Sequence, residues 1–269
     1  DRMVAAIPDP MRKLVRNHLQ FFVERMPEDF DLRGASIGNL ILSGGFFNQK
    51  RHIDPVIYLF TKLVEARGTV RPVVNRDAQL AARLADGTVL VGQHLITGKE
   101  SAPIAAPVED IWLTEGRPDA PPLRVPLRDK VKRLIGSAEL ICYPMGSFYT
   151  SLVANLLPSG VGDAIKDADC PKVYVPNSGG DPEMKGLSVA GAVSVLFRHL
   201  DRGCARPAPR EALLNFVLID SKNGEYGGPI DHQKIRRFGV EIIDADLTTP
   251  ESRPRLDPTK VLRNLLSLV

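Results

Sequence analysis

A chain of 269 residues, 43% hydrophobic and 25% charged, has the composition of an ordinary globular protein and is long enough to bury a core. The formal net charge of +3 is spread over both signs, so nucleic acid is not an expected partner. No membrane span or signal peptide is visible, and the three cysteines lack metal-ligand spacing, which predicts a cytoplasmic protein with reduced thiols and no membrane partner.

The first part of the chain is predicted to be helical. Apolar residues recur at helical spacing over residues 10–25 and 54–64. Between them, Ser36 can cap a short apolar helix that the glycine pair 44–45 would end. A short strand is predicted over residues 69–75. Because doubly wound folds usually open with a strand and a glycine-rich turn, we expect an upstream segment.

A hairpin is predicted next. Two extended runs, residues 79–85 and 88–96, flank the dipeptide Asp-Gly at 86–87, which favours a tight hairpin turn. Residues 98–126 are rich in proline and irregular, with one short strand at 111–113. We therefore expect a cap-like subdomain or insertion around residues 76–128, within a single α/β domain that spans the whole chain, residues 1–269.

From residue 129 onward, helices and strands alternate. Strands are predicted over residues 138–142, 171–177, 214–220 and 240–243, and helices over residues 129–138, 152–157, 161–168, 187–200, 231–237 and 258–268. Such alternation is typical of a parallel sheet. The predicted fold class is therefore α/β, a three-layer sandwich around a Rossmann-like parallel sheet with a small hairpin and helical cap, whose ligand crevice lies at the carboxyl ends of the strands.

One loop stands out at the end of a predicted strand. Residues 144–151 contain Gly146 and several hydroxyl side chains, and they lead into a predicted helix. The start of a helix offers free backbone N–H groups and a partial positive charge, which suits a phosphate. An ordinary strand-to-helix turn, whose serine and threonine cap the helix, explains the same residues. Both interpretations stay open on these residues alone.

Several short stretches occur in a recognisable series. They are Gly38-Asn39-Leu40, residues 67–72, residues 86–92, residues 144–151 and residues 177–183. In this order and spacing, the chain resembles the 2-phospho-L-lactate transferase superfamily, which also contains the gluconeogenesis-factor proteins. The resemblance covers roughly residues 33–200. Gln93, where an acidic residue is expected, and the loop 177–183, which matches neither branch fully, indicate a divergent third branch.

The resemblance implies a Rossmann-like nucleotide site and a nucleoside-diphosphate-linked small molecule as the partner. In the transferase branch, a phospholactyl group passes from a guanosine diphosphate donor to a deazaflavin alcohol with the help of Mg²⁺. In the other branch, a UDP-sugar is bound and no reaction is established. We expect a transferase of phosphorus-containing groups, with a non-catalytic nucleotide-sugar-binding regulatory protein as the alternative. The oligomeric state is left open, with a homodimer as one possibility.

The resemblance also assigns roles to individual residues. The phosphate-contacting loop would comprise Gly146, Ser147, Tyr149, Thr150 and Ser151. Asn39, Asn177 and Glu183 would contact the ligand, and Asp181 and Glu183 would hold Mg²⁺. Asp181 is also the candidate base for the attacking alcohol. The alternative for Asp181 is an exposed turn residue before a proline.

Overall fold

The structure is a computed structural model that describes residues 7–98, 102–117 and 119–269. Residues 99–101 and 118, which belong to the predicted insertion, lie outside the described residues. The chain divides into two compact units, with the boundary between Asn75 and Arg76. Among the helices of the described residues, none is long and apolar enough to cross a lipid bilayer.

The first unit contains three helices, α1 (Asp9–Val23), α2 (Ile37–Asn48) and α3 (Ile53–Leu63). All three were predicted, but the glycine pair 44–45 lies inside α2 and does not end it. A Cβ atom at Gly44 would lie 1.7 Å from the carbonyl oxygen of His18. The pair therefore serves close packing of α2 on α1. The strand predicted over residues 69–75 is wrong, because this segment is irregular and pairs with no strand of the described chain.

Gly44→Ala is expected to lower the free energy of unfolding of the first unit by about 2–3 kcal/mol, because the new methyl group forces α1 and α2 apart. The matched control is Gly68→Ala in the same unit, where an added Cβ meets nothing within 4 Å. Urea denaturation followed by far-ultraviolet circular dichroism measures both variants. Equal stability of the two variants would show that the contact at Gly44 does not limit helix packing.

The second unit contains a small antiparallel sheet of β1 (Gln79–Leu84), β2 (Val89–Val91) and β3 (Val108–Thr114), in the order β2-β1-β3. The predicted hairpin and the short predicted strand within residues 98–126 are both present. The second hairpin strand ends at Val91 and not at residue 96, because Gly92 has a φ of 106° and turns the chain into a short helix, α4 (Gln93–Thr97).

A parallel sheet of four strands forms the body of the second unit. The strands are β4 (Ile141–Tyr143), β5 (Lys172–Tyr174), β6 (Phe216–Ile219) and β7 (Glu241–Asp244), in the order β4-β5-β6-β7. The helices are α5 (Asp129–Gly136), α6 (Val161–Lys166), α7 (Val189–Arg202), α8 (His232–Arg237) and α9 (Pro258–Leu266). The predicted α/β class with a parallel sheet and a smaller antiparallel sheet is therefore confirmed.

The central strand β5 buries side chains on both faces of the sheet. On one face, Val173 and Val175 cluster with Leu218 and with Val261 of α9. On the other, Tyr174 packs against Phe148, with ring centroids 6.2 Å apart. Burial on both faces is typical of a strand inside a parallel sheet. Because β4 and β5 pair in parallel, the loop after β4 and the loop after β5 lie at the same edge of the sheet.

The helix predicted over residues 152–157 has a different form. The chain makes a π-helical turn, Phe148–Leu152, and then a 3₁₀ turn, Val153–Leu156. In the π turn, the N–H of Leu152 donates to the carbonyl oxygen of Ser147 at 3.2 Å. Single π turns occur frequently at functional sites. The first N–H groups of this turn, those of Phe148, Tyr149 and Thr150, bind carboxylates of the loop after β5.

Candidate functional site

The loops after β4 and β5 are joined by one amide side chain. Tyr143 and Tyr174 are partners in the parallel register, so both loops leave the sheet at the same edge. The Oδ1 atom of Asn177 accepts a hydrogen bond from the N–H of Gly146 at 2.7 Å, and its Nδ2 donates to the carbonyl oxygen of Gly146. An amide offers both a donor and an acceptor for such a pair. We call this arrangement the Gly146–Asn177 clamp.

Asp181 binds the start of the π turn. Its Oδ2 accepts hydrogen bonds from the N–H of Phe148 at 2.8 Å and from Nδ2 of Asn177 at 3.0 Å. Its Oδ1 accepts from the N–H of Glu183 at 3.0 Å, which caps a short 3₁₀ turn. The carboxylate therefore connects the two loops and starts the turn that positions Glu183.

Glu183 is buried, with 1% of its surface exposed, and binds the next residues of the π turn. Its Oε2 accepts from the N–H groups of Tyr149 and Thr150, each at 2.8 Å, and its Oε1 accepts from the Thr150 hydroxyl at 2.5 Å. Burial raises the pKa of Glu183, and the hydrogen bonds from Thr150 and Tyr149 oppose that rise. The helix-start N–H groups expected to bind a phosphate thus bind carboxylates of the chain itself.

The predicted phosphate loop is consequently divided into a buried and an exposed part. Tyr149 and Thr150 are buried, and burial raises the pKa of Tyr149 to about 12. Gly146 and Ser151 are exposed, and Ser147 is partly exposed. The roles of these residues in ligand contact stay predictions.

Asn39 belongs to the first unit, where it is exposed on α2. Its predicted contact with the ligand also stays a prediction.

Asp181 and Glu183 are engaged in hydrogen bonds that a Mg²⁺ ion would have to share or replace. Mg²⁺ requires oxygen ligands with lone pairs directed at the ion. Every carboxylate oxygen of Asp181 and Glu183 already accepts at least one hydrogen bond from the chain. Within residues 7–98, 102–117 and 119–269, no three His, Cys, Asp or Glu side chains are grouped so that they could hold a metal ion. The requirement for Mg²⁺ stays a prediction.

A cavity of about 640 Å³ opens beside the Gly146–Asn177 clamp. Its polar side consists of the loops after β4 and β5, and its other side is the start of α9. Gly146 and Gly180 have φ angles of 148° and 88°, and a Cβ at either would meet nothing within 4 Å. The lining residues are Met145, Gly146, Asn177, Ser178, Gly179, Gly180, Arg255, Leu256, Pro258, Val261, Leu262 and Leu265. We call this cavity the crevice.

Arg255 supplies the positive charge of the crevice, and the sequence analysis did not select it. It is exposed and lies in the loop between β7 and α9. Ser178 holds this loop against the loop after β5, because its hydroxyl donates to the carbonyl oxygen of Pro254 at 2.7 Å. A signal was present in the sequence: Arg255 follows the last strand of a parallel sheet, and loops at the carboxyl ends of such strands meet at one edge.

The fold is that of an α/β protein with a parallel sheet, whose polar, glycine-containing loops meet beside a crevice at the carboxyl ends of the strands. The family model of 2-phospho-L-lactate transferase CofD matches residues 2–248. The chain belongs to this family.

The chain is also similar in sequence to proteins named gluconeogenesis factor. The chain is 34% identical over 233 residues to the gluconeogenesis factor of Halalkalibacterium halodurans, covering 83% of this chain and 67% of that protein. It is 28% identical over 268 residues to the gluconeogenesis factor of Bacillus subtilis, covering 92% of this chain and 76% of that protein. A putative gluconeogenesis factor of Thermotoga maritima is 28% identical over 217 residues, which are 80% of this chain. The chain spans 60% of the length of that relative.

A solved structure shows the same fold. The crystal structure of a member of the UPF0052 family from Bacillus halodurans matches with a TM-score of 0.68 and 24% sequence identity. The match covers 96% of this chain and 82% of the other. The resemblance stated from the short motifs is confirmed at the level of the family by the family model and the named relatives.

Proposed function

We propose that this protein binds a nucleoside-diphosphate-linked small molecule in the crevice. The observation that carries the proposal is the Gly146–Asn177 clamp, which holds two glycine-containing loops open beside a cavity of about 640 Å³. That volume is in the range of pockets that bind small molecules and cofactors. Loops of this kind at the carboxyl ends of parallel strands are where α/β proteins bind nucleotides.

The two sides of the crevice suit the two parts of such a ligand. At Gly146 and Gly180 no side chain stands between the backbone and the cavity, so a diphosphate can approach closely. The guanidinium of Arg255 would neutralise the diphosphate and donate two parallel hydrogen bonds to it. Leu256, Val261 and Leu262 offer an apolar surface to the base or the sugar.

Of the two activities found in the family, we propose non-catalytic binding of a nucleotide sugar, of the gluconeogenesis-factor type. The hydrogen bonds of Asp181 and Glu183 support this choice, because both carboxylates are engaged in joining the loops. Two relatives are named gluconeogenesis factor, and that is the branch in which the resemblance implies a bound UDP-sugar without an established reaction.

Transfer of a phospholactyl-type group is the second candidate, supported by the family model over residues 2–248. The alcohol oxygen of the acceptor would form a bond to the transferred phosphorus, and the phosphoanhydride bond to the leaving nucleoside monophosphate would break. The alcohol proton would pass to a base, for which Asp181 remains the candidate. Asp181 would then give up one of its present hydrogen bonds.

Thermal-shift measurements with UDP-glucose and GDP, with and without Mg²⁺, test the proposal. We expect UDP-glucose to raise the melting temperature without metal, because a ligand that binds only the folded state stabilises it. Incubation with a guanosine diphosphate donor and a deazaflavin alcohol, followed by mass spectrometry, should give no product. A product would establish the second candidate. If neither UDP-glucose nor GDP changed the melting temperature, the binding proposal would be overturned.

Arg255→Gln is expected to weaken UDP-glucose binding about tenfold or more, because a hydrogen-bonded charge opposite the diphosphate is lost. Arg263→Gln is the matched control, since Arg263 is exposed on α9 and does not line the crevice. Isothermal titration calorimetry measures both affinities. If the two variants bind equally well, Arg255 does not contact the ligand.

A further inference from the structure

The second unit contains another cavity, of about 510 Å³, that shares no lining residue with the crevice. Strand β3 and the last turns of α7 form its walls. Its polar lining consists of Arg83, Asp110, Trp112, His199 and Arg202. We call it the β3–α7 cavity.

Sheet register and helix spacing explain why these polar groups meet. Arg83 of β1 is the register partner of Asp110, and alternate residues of a strand share one face, so Asp110 and Trp112 lie on the same side as Arg83. His199 and Arg202 are three residues apart on α7 and therefore project from one side of the helix. Arg202 Nη1 donates to Asp110 Oδ1 at 2.6 Å and links the helix to the sheet.

Two buried nitrogen atoms of this lining have no hydrogen-bond partner within the described chain, Nε1 of Trp112 and Nε2 of His199. His199 is 1% exposed. Burial, reinforced by the neighbouring charges of Arg198 and Arg202, lowers the pKa of His199 to about 4, so its ring is neutral near neutral pH. An indole N–H can only donate, and a buried donor without an acceptor is costly. An acceptor oxygen bound in the cavity would satisfy this indole N–H.

Within the described residues, the two arginines also have N–H groups that bind no acceptor. Arg83 binds Glu109 through Nε, and Arg202 binds Asp110 through Nη1, whereas a guanidinium has five N–H groups. The rest of the lining is apolar and includes Leu123, Leu156 and Leu157. A ligand that fits has acceptor oxygens with negative charge at one end and an apolar body at the other.

We propose that the β3–α7 cavity binds a small organic carboxylate with an apolar body. The carboxylate accepts hydrogen bonds from Nε1 of Trp112 and from free N–H groups of Arg83 and Arg202. The apolar body packs against the leucines of the lining. Nucleotide binding in the crevice is not required for this site.

The protein provides its own reporter for a test, because Trp112 is the one tryptophan of the chain. Titration of the full chain with 3-phenylpropanoate, followed by the indole N–H signal in ¹H–¹⁵N NMR, should give a saturable shift. The affinity for the neutral isostere 3-phenylpropanamide should be lower by about tenfold or more, since the amide carries no negative charge and cannot form charge-assisted hydrogen bonds with the arginines. No saturable shift up to the solubility limit of the acid would overturn the proposal, and so would equal affinity for the amide.

Substitutions in the lining of the cavity test whether the acid binds there. Arg202→Gln should weaken binding about tenfold or more, whereas Arg206→Gln, at an exposed position outside the lining, should leave it unchanged. Arg202→Gln also removes the link to Asp110, so Trp112→Phe is a second variant that removes the indole N–H, keeps an aromatic ring and leaves this link in place. Calorimetry should show binding to Trp112→Phe weakened about fivefold. Unchanged affinity in both variants would place the acid elsewhere and overturn the proposal.

Discussion

Glu183→Ala is expected to lower the free energy of unfolding of the second unit by about 3–5 kcal/mol. The substitution leaves the N–H groups of Tyr149 and Thr150 and the Thr150 hydroxyl without their acceptor. Tyr149 and Thr150 are both buried, so water cannot readily replace the carboxylate. Urea denaturation followed by the fluorescence of Trp112 measures the loss, because this single tryptophan belongs to the same unit.

Glu183→Gln keeps the shape of the side chain and removes its negative charge, so it separates the two contributions to stability. Its side-chain oxygen can still accept from the two N–H groups, while its NH₂ can donate to the Thr150 hydroxyl, so we expect a loss of only about 1–2 kcal/mol. Glu139→Gln, at an exposed position before β4, is the control and should change stability little. If Glu183→Ala were as stable as this control, the carboxylate would not hold the π turn, and the loop would be free to bind a ligand through its N–H groups.

The second unit is expected to lose up to about 3 kcal/mol of stability as the pH falls from about 6.5 to about 4, because of His199. Burial first, and then Arg198 and Arg202, lower the pKa of His199 to about 4, while Asp110 opposes them. Above pH 6.5 the ring is neutral in both folded and unfolded chains. Between the pKa of the unfolded chain and that of the folded chain, only the unfolded chain takes up the proton. The free energy of unfolding therefore decreases as the pH is lowered and levels off below the folded pKa.

Comparison of the wild type with His199→Gln isolates this contribution, because the carboxylates that titrate nearby are common to both. The pH-dependent loss should be smaller in His199→Gln by most of the expected amount. His232→Gln, in the same unit at the start of α8, should keep the wild-type dependence. Denaturant midpoints measured at several pH values provide the comparison. Identical pH dependence of the wild type and His199→Gln would contradict a buried neutral ring.

Local patterns predicted most of the elements and the family. The Asp-Gly dipeptide at 86–87 marked the hairpin, and apolar runs marked the four strands of the parallel sheet. Such patterns succeed because side-chain period and turn residues are properties of a short segment. Gly44 shows where they fail: glycine ends many helices, but here it allows a close approach to His18, which is 26 residues away in the chain.

The sequence alone determined the fold class, the membership of the CofD family and the two loops, 144–151 and 177–183, that meet at the edge of the sheet. Only the tertiary structure decided which groups the backbone N–H donors of those loops bind. Hydrogen bonds between residues more than 30 positions apart direct the carboxylates of Asp181 and Glu183 to the N–H groups of the π turn. The tertiary structure also placed Arg255 beside the clamp and assembled the β3–α7 cavity. Burial and the choice of hydrogen-bond partners depend on packing between distant segments, which no local pattern encodes.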